Sequence, residues 1–73
     1  MASSPIFKIY DADGEYQGCM KRPEEAAAVV ALLGDDSEIR YGHKHVVWTQ
    51  GPNGDGDAGE SYDDAAALIR SRV

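Results

Sequence analysis

Positive charge is scarce in this chain. Seven lysines and arginines stand against 13 aspartates and glutamates, a net charge of −6 over 73 residues. Proteins that grip duplex nucleic acid or an anionic membrane rely on a basic face, so double-stranded nucleic acid and membranes are not expected as partners. Such a balance suits a chain kept soluble by its charge, or one that docks on a basic partner. Cysteine is scarcer still: Cys19 stands alone. No intramolecular disulfide is possible, and the fold is not a stapled secreted scaffold. Long hydrophobic runs are missing too. The longest near-apolar stretch, Ala26 to Leu33, is far shorter than the roughly 20 residues of a membrane span. The opening Met-Ala-Ser-Ser-Pro has neither the basic start nor the apolar run of a signal peptide. These absences point to a cytoplasmic protein. Catalytic triads, phosphate-binding glycine loops and Cys-x-x-Cys pairs are also lacking, so neither enzymatic activity nor a cofactor is expected.

What the chain does contain is a repeat. Glu24-Glu25-Ala26-Ala27-Ala28-Val29-Val30 recurs in type as Asp63-Asp64-Ala65-Ala66-Ala67-Leu68-Ile69. Two acids, three alanines and two branched aliphatics follow in the same order, each time after strand-like residues. The period suits two hairpin-plus-helix units, residues 5–34 and 38–73, within a single domain 1–73. Neither unit is large enough to bury its own apolar face. The expected fold is α+β with element order ββαββα: one four-stranded antiparallel sheet with both helices on one face.

In the first unit, strands are expected over 5–10 and 15–20 around the turn Asp11-Ala12-Asp13-Gly14, where aspartate can bond nearby backbone N–H groups and glycine can take positive φ. A four-residue loop sets Tyr10 opposite Glu15, Ile9 opposite Tyr16 and Phe7 opposite Gly18. Phe7, Ile9, Tyr16 and Met20 then face the core. Ile6, Lys8, Tyr10, Gln17 and Cys19 face away. Pro23 suits the first position of a helix over 23–33, and Glu24 and Glu25 suit its positive end. Arg22 is a poor N-cap. Ala26, Val29, Val30 and Leu33 form the inward stripe, Gly34 ends the helix, and Asp35-Asp36-Ser37 reads as linker.

In the second unit, strands are expected over 38–41 and 44–50. A two-residue turn at Gly42-His43 pairs Tyr41 with Lys44 and Ile39 with Val46. Ile39, Tyr41, Val46 and Trp48 then face the core, and Arg40, His45, Val47 and Thr49 lie outside. A three-residue turn would bring His45, Val47 and Thr49 inward and turn Trp48 out. Burying Trp48, with Phe7 and Leu33, removes more apolar area from water and favours the first register. Residues 51–59 carry four glycines and no apolar period, which reads as an irregular loop. Ser61 to Asp64 forms a capping box for a helix over 62–71, with Ala65, Leu68 and Ile69 inward.

Three constellations compete for function. Asn53, Asp55 and Asp57 have the spacing of the first ligands of a calcium loop, with Asp64 at its twelfth position. Ala58 stands where that loop needs glycine, and Asp64 where it carries glutamate. His43 and His45 form an H-x-H without a completing ligand pair. The third is the uncovered sheet face, with Ile6, Lys8, Tyr10, Gln17, Arg40, His45 and Val47, a mixed patch suited to a protein partner or a homodimer. Glu24 and Asp63, at the helix starts, add an acidic docking point if the repeat brings those ends together. The reading is a small non-enzymatic interaction or regulatory module of the kind phage-encoded inhibitors are. The alternative is a small-ligand or calcium-binding domain using the Asn53–Asp64 loop. Asp13-Gly14-Glu15-Tyr16 followed by Pro23-Glu24-Glu25-Ala26 resembles the opening hairpin and helix of HicB-like antitoxins, and no residue role follows from that likeness.

Overall fold

The computed structural model describes residues 6–42, 45–57 and 61–73. Six elements follow in the expected order: β1 (Phe7–Tyr10), β2 (Tyr16–Met20), α1 (Pro23–Leu33), β3 (Glu38–Tyr41), β4 (His45–Thr49) and α2 (Tyr62–Ser71). The strands form one antiparallel sheet in the order β2-β1-β3-β4. The two units therefore join through their first strands, with Ile9 opposite Ile39 and Lys8 opposite Arg40. Phe7, Ile9, Ile39, Val47 and Trp48 from the sheet meet Ala26, Ala27 and Val30 of α1 and Ala65 and Ile69 of α2 in one buried cluster. α1 packs on β1, β2 and β3, and α2 packs on α1. Four alanines of the repeat, Ala26, Ala27, Ala65 and Ala66, are buried where the helices pack, and small side chains let helix axes approach.

The helix ends follow their sequences. Arg22 makes no side-chain cap, and Pro23 opens α1. Gly34 ends it at φ 97°, its N–H donating to the Val30 carbonyl; only glycine takes that angle without strain. Ser61 caps α2 by accepting the Asp64 N–H at 3.3 Å.

Both hairpin registers differ from expectation: each turn departs by one residue from the expected length, and a β-bulge further along each pair shifts the register again. In the first, Asp11 N–H donates to the Glu15 carbonyl at 2.9 Å, so the turn closes one residue further out. The Asp11 carboxylate accepts the Asp13 and Glu15 N–H groups. Tyr10 then faces Tyr16, and an irregularity past it sets Gly18 opposite Ile9 and Met20 opposite Phe7. Gln17 is the extra residue of a bulge, Gly18 sits beside it at φ 132°, and Tyr16 leaves the core face. In the second hairpin, Tyr41 pairs with His45, Arg40 with Val46 and Ile39 with Trp48. Three residues thus separate the paired ends. The three-residue spacing brings Val47 inward, and the bulge brings Trp48 inward beside it. Val47 is fully buried and Trp48 nearly so, while Val46 is 41% exposed.

Three further expectations are corrected. Leu33 and Leu68 are about two-fifths exposed, because the buried face of α1 runs through Ala26, Ala27 and Val30 and that of α2 through Ala65, Ala66 and Ile69. The 35–37 linker is built in: Ser37 is buried, its hydroxyl donates to the Gly34 carbonyl at 2.7 Å, and its carbonyl accepts the Gln50 N–H. Of the loop expected over 51–59, residues 58–59 lie outside the described residues, and the rest is a turn held by hydrogen bonds. Gly51 and Gly56 exchange backbone bonds, and Asp55 bonds Thr49 through both its N–H and its carboxylate.

Candidate functional site: the open sheet face

Strand alternation turns Lys8, Tyr10, Glu38 and Arg40 away from the helices. The pairing sets two rows across the sheet. Cys19, Lys8, Arg40 and Val46 form one, and Tyr16, Tyr10, Glu38 and Thr49 the other. Tyr16 meets Tyr10 edge to face at 5.7 Å between ring centroids. The Arg40 guanidinium lies 4.1 Å from the centre of the Tyr10 ring and bonds the Glu38 carboxylate at 2.9 Å, so cation–π contact and ion pair hold it flat on the surface. Hydrogen bonding with the Cys19 thiol, aided by slight desolvation, raises the Tyr16 pKa above its ordinary 10.0 and keeps the phenol neutral. Cys19 itself is exposed. Ile6 at 42%, Tyr16 at 55% and Val46 at 41% exposed put apolar surface into water here.

Two residues assigned to this face from the sequence lie elsewhere. Val47 is in the core, and the three-residue spacing of the second hairpin sets Val46 opposite Arg40 on the open face. His45 turns to the helix side, its Nε2 at 2.6 Å from the Arg72 carbonyl beyond α2. Gln17, at the first bulge, donates to the Asp11 carboxylate at 2.7 Å and braces the turn. Tyr16 and Val46 are the surface residues that sequence reasoning missed. The turn closed by the Asp11 carboxylate is the signal for Tyr16, since it shortens the loop by one residue. His43 lies outside the described residues.

The acidic helix starts are not brought together. Glu24, in the first turn of α1, bonds Arg70, in the last turn of α2, at 2.6 Å. The helices are therefore antiparallel, and Asp63, seven residues before Arg70, lies roughly 10 Å further along α2. The Glu24 carboxyl sits below its ordinary 4.5, through its own backbone N–H and then Arg70.

In the aspartate segment, Asp55 accepts the Thr49 N–H at 2.8 Å with one oxygen and pairs with Arg72 at 2.8 Å through the other. Asp57 accepts from Gln50, which in turn accepts the buried Trp48 indole N–H at 2.9 Å. Asp57 and Asp64 line a cleft of about 270 Å³ with Trp48, Ser61, Ala65 and Leu68. Asn53 lies in the exposed turn outside it. Among the described residues, no group of three acids, histidines or cysteines is arranged to hold a metal, and no helix is long and apolar enough to cross a membrane.

No family model, curated protein or solved structure matches this chain, and the antitoxin likeness of the first unit carries no family assignment.

Proposed function

We propose that the chain is a non-enzymatic interaction module that docks a protein partner on its open sheet face. The observation that supports this is the one-sided cover of the sheet. Both helices lie on the face of Phe7, Ile9 and Ile39, while Ile6, Tyr16 and Val46 stay exposed on the other. A patch of aromatic, arginine and aliphatic residues is the composition of interface centres. Tyr10 and Arg40 are already immobilised by each other, which lowers the entropy lost on binding.

The test is site-specific photocrosslinking in cells that produce the protein. A crosslinker at Val46 should give one discrete adduct, which Arg40→Glu and Tyr16→Glu weaken at least tenfold. The same crosslinker at Ala67, exposed on α2, should give none. Equal adducts from Val46 and Ala67, or an adduct unmoved by both substitutions, would place the docking surface elsewhere.

A further inference from the structure

We infer that the open face also meets a second copy of this chain, antiparallel, with the basic end of one face against the acidic end of the other. This rests on the same docking surface and makes self-association a competitor of the partner. Charge is graded along the strands. At one end lies the β1–β2 turn with Asp11, Asp13 and Glu15, next to the Tyr10–Glu38 pair. Toward the other end lie Lys8 beside Arg40, and Lys21 directly after β2. Among the described residues, no ion pair engages Lys8, Lys21, Asp13 or Glu15. The centre holds the Tyr10–Tyr16 pair, Cys19 and Val46.

A two-fold axis lying in the interface and crossing the strands makes an isologous contact. It sets Lys8 and Lys21 of each copy toward Asp13 and Glu15 of the other and stacks the aromatic centres. The other stacking, with strands in the same direction, opposes like charges, which is costly at a desolvated interface. A nucleic-acid strand running the length of the face would meet the acidic turn, so a polyanion fits only half of it.

Area sets the strength. Strands of four or five residues and four strands abreast make a face roughly 15 Å on a side, from the ordinary strand rise and spacing. Two such faces bury less than the about 1,200–2,000 Å² of stable complexes. The dimer is therefore weak, at the micromolar to millimolar level, concentration-dependent and salt-sensitive, and a partner of ordinary affinity displaces it.

The experiment uses sedimentation of the full chain, over a concentration series at low and high salt, with two charge-reversed variants. Lys8→Glu with Lys21→Glu makes both ends acidic; Asp13→Lys with Glu15→Lys makes both ends basic. The parent should self-associate, about tenfold more weakly at high salt. Each variant alone should be at least tenfold weaker than the parent, and their equimolar mixture should regain or exceed the parent's association. Complementation by the mixture requires both to be folded, and the parent's own salt series stands if either is not. A parent monomeric at millimolar concentration, a mixture no stronger than its components, or variants that associate like the parent would overturn the inference. If Val46 still crosslinks a partner while the parent is monomeric, the docking reading stands and only the dimer falls. Open-face amide shifts with oligouridylate but none with concentration would overturn it in favour of nucleic acid.

Discussion

Trp48 sits where the second hairpin, the 49–57 turn and α2 meet, and its indole depends on one side chain. Trp48→Ala should cost about 3–5 kcal/mol, as large core truncations do, read from denaturant unfolding. Gln50→Leu removes the acceptor of a buried N–H and should cost roughly 1–3 kcal/mol, while Gln50→Glu, which keeps an acceptor, should cost less. Gly54 carries a different constraint. A Cβ there would stand 2.5 Å from the Thr49 carbonyl oxygen, so Gly54→Ala should destabilise by roughly 1–3 kcal/mol although the residue is exposed. On the open face, Cys19→Ala should move the phenol titration of Tyr16 down toward 10.0. It can be followed by phenolate absorbance against Tyr16→Phe as blank. Because the folded-state value is raised, its contribution to stability is present below 10.0 and lost as pH rises through the folded value.

At the level of elements, the helices were legible almost to the residue. The repeated acid–alanine–aliphatic pattern, Pro23, Gly34 and Ser61 each mark an end through a local rule. Strand existence was equally legible, because aromatic and β-branched runs stand between turn residues. Pairing was not. A bulge adds one residue to one strand and leaves composition and length unchanged, so alternation read from the sequence fails beyond it. Turn length is hidden in the same way: one residue fewer in the first turn and one more in the second put Tyr16, Val46 and Val47 on the opposite faces. The bulges then returned Met20 and Trp48 to the core side, while Phe7, Ile9 and Ile39 stayed where alternation set them. The Glu24–Arg70 pair was hidden for another reason: it depends on helix direction, which capping rules do not set. With its folded pKa below 4.5, Glu24 contributes stability that is present above pH 4.5 and lost as pH falls through the folded value. Glu24→Gln should therefore unfold at lower temperature than the parent at neutral pH, and the gap should close in acid. A gap that persists when Glu24 is protonated would assign the effect to packing.

For the whole molecule, both hairpins and both helices share one core. The open face was only half legible: Lys8, Tyr10 and Arg40 followed from alternation, whereas its exposed ring and valine came from turns one residue off the expected length. The bulges bear on a hazard of every open sheet. β2 and β4 are the outer strands, and each lies in the pair that carries an irregularity. A bulged strand twists and offers a broken row of N–H and C=O groups, a poor template for further strands. Amyloid-type growth along the sheet edge is thereby discouraged, while the flat face stays free to bind. Deleting Gln17 should straighten β2, and slow thioflavin-positive fibre formation at concentrations where the parent stays clear would show that the bulge guards solubility.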